Sequence, residues 1–156
     1  MSPVPGDIPR VLSIAGSDSG GGAGIQADLK AIARCGAHGM TAITAITAQN
    51  TVGVNAVEAV SPAMIIAQIE AVASDIGVDA VKVGMLGTTE TIEAVIEGLG
   101  MTGDAPVVVD PVMVSETGSS LLDDGARSAL VEGILPLASF VTPNIPEARA
   151  LAGLGP

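Results

Sequence analysis

Short apolar runs alternate along this chain with stretches in which apolar residues recur every three or four positions. Val11–Ala15 is a continuous run and predicts a first strand. Ile25, Leu29 and Ile32 follow at helical spacing. His38–Ile46 predicts a second strand, ending in the polar run Thr47-Ala48-Gln49-Asn50-Thr51. Val54–Val60 alternates weakly, as an edge strand or flap would. Ser61-Pro62 reads as a helix start, with Ser as N-cap and Pro in the first turn, and Ile65, Ile69 and Val72 give that helix its buried stripe. Ala80–Val83 predicts a short strand, and Ile92, Val95, Ile96 and Leu99 stripe the next helix. Val107–Val109 predicts a strand ending at Asp110-Pro111. Asp123 to Leu135 reads as helix, Phe140-Val141 as strand and Pro146–Leu151 as the start of a further helix, with Gly153 as its C-cap. Repeated β-then-α, with strands apolar on both faces, predicts an α/β fold: a mostly parallel sheet covered by helices on both sides.

Glycines at 16, 20, 21, 22 and 24 separate the first strand from the first helix. Strand, glycine loop and helix bring backbone close to a small ligand at the carboxyl edge of a sheet. The other predicted strand ends are Thr47–Thr51, Gly84-Met85, Asp110–Gly118 and Thr142–Glu147. They too are rich in polar groups and glycine, unlike the strand centres. A Walker A loop needs Lys after its last Gly, and Ile25 stands there. A dinucleotide fingerprint fits superficially as Gly22-x-Gly24-x-x-Ala27. It also needs an acid at the end of the second strand, where this chain has Thr47, Gln49 and Asn50.

Asp28, Asp110, Asn144 and Glu147 are the candidate polar groups. Asp28 lies a turn into the first helix, where it either favours the helix dipole or accepts hydrogen bonds from a ligand. Asp110 ends an apolar strand, where a carboxylate is costly unless solvated, paired or metal-bound. Asn144 and Glu147 are three apart, on one side of a helix start. With Asp110 they suit Mg²⁺, which takes few carboxylates and keeps waters and phosphates. The alternative is helix capping by Asn144 and surface solvation of Glu147, which position alone slightly favours.

The formal net charge of −11 argues against a nucleic-acid partner, whose phosphates call for Lys and Arg. No run of apolar residues reads as a membrane span, and MSPVPGDIPR lacks the apolar core of a signal peptide. Residues 1–9 read as a flexible tail. Cys35 is the single cysteine, which suits a cytoplasmic protein, and it reads as structural at the end of the first helix. With no Trp or Tyr and only Phe140, a flat ligand ring must rest on aliphatic side chains, Met, peptide planes or His38.

Taken together, Ile14-Ala15-Gly16-Ser17-Asp18, Gly21–Lys30 (GGAGIQADLK), Ile43-Thr44-Ala45, Ala48-Gln49-Asn50-Thr51, Lys82-Val83-Gly84-Met85-Leu86, Asp110-Pro111-Val112-Met113 and Thr142–Ala148 (TPNIPEA) carry a resemblance. The chain resembles the hydroxymethylpyrimidine/phosphomethylpyrimidine kinases of thiamine biosynthesis, in the ribokinase-like superfamily. The match runs from about Arg10 to the last residues.

The resemblance implies phosphorylation of 4-amino-5-hydroxymethyl-2-methylpyrimidine, and then of its monophosphate, by ATP with Mg²⁺. It implies that Gly16, Asp28, Gln49, Met85 and Val112 surround the pyrimidine, and that Asp110, Asn144 and Glu147 face phosphates and Mg²⁺, with Asp110 and Glu147 as metal ligands. Gln49 and Asp28 have the donors and acceptors to read an aminopyrimidine edge, and Met85 and Val112 can cover the ring. The family's Gly-Thr-Gly-Cys loop, whose amides stabilise the transferring phosphoryl group, has no match here. Residues 10–156 are therefore expected to be the N-terminal part of one kinase domain, inactive alone and prone to form homo-oligomers, such as a homodimer, through an uncovered sheet edge. The alternatives are a pyridoxal-type kinase of the same superfamily and a non-catalytic pyrimidine-binding module.

Overall fold

A computed structural model describes residues 8–113 and 124–154. Its centre is a five-stranded parallel sheet in the order β2-β1-β5-β6-β7. The strands are β1 Arg10–Ala15, β2 His38–Ile43, β5 Ala80–Val83, β6 Val107–Val109 and β7 Phe140–Val141. A separate antiparallel pair, β3 Ala45–Gln49 and β4 Val54–Ala59, forms a hairpin. The helices are α1 Gly24–Arg34, α2 Pro62–Asp75, α3 Thr89–Leu99, α4 Asp124–Ala129 and α5 Ile145–Leu151.

The chain steps from β1 to β2 in one direction, then returns past β1 to β5 and continues to β6 and β7 the other way. Strand order therefore reverses between β1 and β5. In open α/β sheets a crevice opens beyond the carboxyl ends of the strands at such a reversal.

Leu12 and Ile14, with Met40 and Ala42 beside them and Val81, Val83, Val107 and Val109 on the other side, form one face of the core. Ile65 and Ile69 of α2 and Ile92 and Val95 of α3 are fully buried against it. Ser61 caps α2 by accepting from the Met64 amide, with Pro62 opening the helix. Thr88 caps α3 in the same manner.

The opposite face is not uniformly apolar. Across it run Thr41, Ser13, Lys82, Val108 and Phe140, in register from β2 to β7. α1 packs over its β1–β2 end. At the other end Phe140 is 67 % exposed. The expectation of strands apolar on both faces is thus corrected: a buried serine and a half-buried lysine sit mid-strand under α1.

The predicted strand His38–Ile46 divides at Thr44. Its amide still bonds the Ala15 carbonyl of the main sheet, while its hydroxyl donates to the Met85 carbonyl at 2.7 Å. The chain turns there, and Ala45–Gln49 pairs with β4 instead. The predicted helix from Asp123 begins at Asp124, Asp123 itself lying outside the described residues. It is α-helical to Ala129, widens to a π turn at Leu130–Ile134 and tightens to a 3₁₀ turn at Leu135–Leu137. Of the expected tail, residues 1–7 lie outside the described residues, and Pro9 already accepts from the His38 amide at 2.7 Å. Cys35 is an exposed C-cap residue of α1, so its structural part is played by its backbone and not by a buried thiol. The α5 C-cap is Ala152 and not Gly153 as expected; Gly153, with φ +69°, stands at the next position, where a left-handed glycine commonly ends a helix. Among the described residues no helix is long and apolar enough to cross a membrane.

Candidate functional site

A cavity of about 480 Å³ opens at the strand-order reversal. Gly16, Asp28, Gln49, Met85 and Val112 line it, and so do Asp110, Asn144 and Glu147. The structure therefore brings all eight candidate residues to one place, although they come from segments as distant as residues 16 and 147. The part of the Asp110–Gly118 segment beyond Met113 lies outside the described residues. His38 stands at the start of β2, at the opposite end of the sheet.

The floor is the loop between β1 and α1. Asp18 is 4 % exposed, and its carboxylate accepts from the amides of Gly20, Gly22 and Ala23 at 2.8–2.9 Å. Burial pushes this carboxyl up, but the amides of Gly20, Ala23, Gly22 and Gly21 outweigh that and hold it below its usual value. The loop's amides are thus engaged by the protein's own acid, which gives a second reason why it is not a dinucleotide cradle. Gly24 has φ +57°, and a Cβ there would lie 2.5 Å from the Gly16 carbonyl oxygen, so the close crossing requires glycine. The Gln26 side chain accepts from the Asp18 amide at 2.7 Å, closing the loop onto α1.

The hairpin is joined to this floor. The Ser17 amide donates to the Ala45 carbonyl, Ser17 Oγ accepts from the Thr47 amide, and Thr47 Oγ1 donates to the Ser17 carbonyl. Ser19 makes a similar pair of bonds with Gln49.

Asp28 projects from α1 toward β1 and β5. Its Oδ2 accepts from Ser13 Oγ at 2.6 Å and pairs with Lys82 Nζ at 2.9 Å. Among the described residues Oδ1 has no hydrogen-bond partner. Lys82 is the one basic residue lining the cavity among the described residues. Neither Ser13 nor Lys82 stands out by spacing, but a lysine inside the apolar strand AVKV is costly unless paired, which is the signal that points to it.

Asp110 ends β6, its amide bonded to the Val83 carbonyl. Burial pushes its carboxyl up, Lys82 partly offsets this, and the charges of Glu147 and Asp28 push it further up. Asn144 and Glu147 form a reciprocal capping box on α5: Asn144 Oδ1 accepts from the Glu147 amide at 2.9 Å, and Glu147 Oε2 accepts from the Asn144 amide at 3.0 Å. Capping by Asn144 is therefore real, but Glu147 is 7 % exposed, which rules out a merely solvated surface acid. No group of three or more His, Cys, Asp or Glu side chains among the described residues is arranged to hold a metal alone. Asp110 and Glu147 are two carboxylates, which suits a cation that completes its shell with waters and phosphates.

A larger depression, about 690 Å³, lies over α5 between Arg127, Ile145, Arg149 and Leu154. It contains none of the candidate residues.

Comparison with known proteins gives a consistent result. Residues 18–156 match the family described as phosphomethylpyrimidine kinase. A hydroxymethylpyrimidine/phosphomethylpyrimidine kinase from Rhizobium meliloti is 57 % identical over 142 residues, covering 91 % of this chain and 53 % of that protein. The crystal structure of a phosphomethylpyrimidine kinase from Clostridium difficile is 50 % identical with a TM-score of 0.88, covering 95 % of this chain and 64 % of the other. Pyridoxal kinase from Staphylococcus aureus, solved with pyridoxal, is 40 % identical with a TM-score of 0.85, covering 96 % of this chain and 55 % of the other. The sheet and helices are thus those of these kinases. This chain spans about half the length of the curated kinases it matches.

Proposed function

The chain belongs to the phosphomethylpyrimidine kinase family, and from that premise we propose that it forms the pyrimidine site of an ATP-dependent kinase. That kinase phosphorylates 4-amino-5-hydroxymethyl-2-methylpyrimidine and its monophosphate in thiamine diphosphate biosynthesis. One observation carries the reading. The five residues expected around a pyrimidine and the three expected to face phosphates line a single cavity at the strand-order reversal.

The chemistry of the two groups differs as a phosphoryl transfer needs. Oδ1 of Asp28 and the carboxamide of Gln49 supply acceptors and a donor for an aminopyrimidine edge. Met85 and Val112 supply apolar surface for the ring faces, and Gly16 lets the ring approach the floor. A Cβ at Gly16 would sit 2.5 Å from Met85 Cε, so the glycine also makes room for that side chain. Asp110, Asn144 and Glu147 lie on the neighbouring ends of β6 and β7, where the phosphates of ATP would reach the hydroxymethyl group.

Asp110 and Glu147 fit Mg²⁺. Asp28, Asp110 and Glu147 stand against one ammonium, that of Lys82, and burial already disfavours the charge on Asp110. A divalent cation would balance that excess and draw electron density from the phosphates. Asn144 keeps the start of α5 fixed, so Glu147 holds its place when the charge arrives.

The reading extends to a cytoplasmic protein that self-associates through the β7 edge, where Phe140 and Val141 are 67 % and 39 % exposed. Sedimentation of the purified protein tests that part.

The likeness to the Staphylococcus aureus pyridoxal kinase favours pyridoxal as the second reading for the substrate. Incubating the product of the native gene with Mg-ATP and each alcohol in turn, and weighing the products by mass spectrometry, separates the readings. Faster phosphorylation of the hydroxymethylpyrimidine supports the proposal. Faster phosphorylation of pyridoxal overturns it, and binding of the pyrimidine without turnover would mark a non-catalytic module.

A further inference from the structure

Asp28 is gripped through one oxygen by two strands. Ser13 on β1 and Lys82 on β5 are register partners, on either side of the point where strand order reverses. Both donate to Oδ2, Ser13 Oγ at 2.6 Å and Lys82 Nζ at 2.9 Å. Ser13 is fully buried, and the Lys82 and Asp28 side chains keep 26 % and 18 % of their surface. The space for the lysine is specific. A Cβ on Gly84 would stand 2.8 Å from Lys82 Nζ and 3.0 Å from Ala15 Cβ, so any side chain there would displace the ammonium from Asp28.

Two donors on one carboxylate oxygen remove the freedom of that group to turn. They also balance its charge. A carboxylate in a cleft with no cation beside it favours a cationic partner, whereas one paired with an ammonium offers its second oxygen to a neutral N–H donor. The hydroxyl fixes the angle, and the ammonium fixes both angle and charge.

Building on the pyrimidine reading above, we infer that Lys82, aided by Ser13, is a positioning residue that acts through Asp28, holding Oδ2 so that Oδ1 faces the cavity and selects a neutral amino-heterocycle. Lys82 need not touch the substrate. Its role is to make Asp28 a directional acceptor, and glycine at position 84 is what allows it.

A double-mutant cycle tests this. Binding of 4-amino-5-hydroxymethyl-2-methylpyrimidine is measured by calorimetry for the parent chain, Lys82→Met, Asp28→Asn and the double variant, each checked for folding by circular dichroism. Contacting groups that act together are coupled, so Lys82→Met should weaken binding roughly 10-fold in the parent and less than about 2-fold beside Asp28→Asn. Ser13→Ala leaves Lys82 in place and should cost roughly 3-fold, again only when Asp28 is present. It serves as the test if Lys82→Met does not fold. An equal loss in both backgrounds, with the parent binding normally, overturns the positioning role and leaves the pyrimidine reading intact. No binding by the folded parent contradicts the pyrimidine reading, and the positioning role with it.

Discussion

Ser19 and Gln49 hold one another twice: Ser19 Oγ donates to the Gln49 carbonyl at 2.6 Å and accepts from the Gln49 amide at 2.8 Å. One hydroxyl thereby sets the backbone of the residue assigned to read the pyrimidine. It adds to the bonds of Ser17 with Ala45 and Thr47 that join the hairpin to the glycine loop. Ser19→Ala should raise the dissociation constant of the hydroxymethylpyrimidine about 5-fold, the scale of one lost hydrogen bond. Hydrogen exchange should speed up at the Gln49 amide and stay unchanged in β1. Unaltered affinity would separate the hairpin from recognition.

Asp18 stabilises the loop through its charge. Its folded carboxyl lies below the ordinary value of 3.8, so its contribution is complete above that value. It is lost as pH falls through the lower folded value. Asp18→Ala leaves three amides without their acceptor and should cost about 2 kcal/mol at neutral pH. In urea melts the gap between parent and variant should close as the pH is taken below 3.8. A gap constant with pH would mean that the side chain stabilises by packing alone.

Much of this arrangement was legible in the sequence, for identifiable reasons. The Ser61-Pro62 cap and the α2 and α3 stripes are local signals, and local signals survive folding. The strand-end segments were legible because apolar runs locate strand ends and a parallel sheet gathers them on one edge; Asp28, Asp110, Asn144 and Glu147 stood out there or beside it by residue type, whereas Gly16, Gln49, Met85 and Val112 were singled out only by the family resemblance. The break at Thr44 was not, since HGMTAITAI is continuous in its β-branched and apolar character. What divides it is a hydroxyl bond to Met85, forty-one residues away. Ser13 and Ser19 were missed for the same reason: their partners, Asp28 and Gln49, come beside them only once the chain is folded. Two missed residues had a local signal: Lys82 inside an apolar strand, and Asp18 before a glycine run, since Asp bonds readily to amides a few residues on.

Asp110 carries the opposite sign from Asp18. Its folded carboxyl is pushed up, first by burial, so its charge opposes folding above the raised value and ceases to do so on protonation. Asp110→Asn should therefore raise the melting temperature of the ligand-free protein, by on the order of 2 °C. The same variant should lose the further stabilisation that Mg-ATP gives the parent. A fall in melting temperature would mean that the ionised carboxylate is stabilised in the fold.

Glu147→Gln separates charge from capping, because Gln closes a capping box as Glu does. The helix α5 should persist by circular dichroism. The Mg²⁺ concentration needed for half-maximal ATP binding should rise by roughly 10-fold, as expected for removal of one of two carboxylates. An unchanged magnesium titration would remove Glu147 from the metal site.

In the proposed function Asp28 reads the pyrimidine in the cavity between β1 and β5. Calorimetric titration of 4-amino-5-hydroxymethyl-2-methylpyrimidine into the folded protein, beside Asp28→Ala, tests it most directly. Saturable one-to-one binding is expected, weakened on the order of 30-fold by the substitution, since a hydrogen bond to a charged group contributes a few kcal/mol. ATP affinity should change far less. No binding by the folded parent, or equal affinity in the variant, would contradict it.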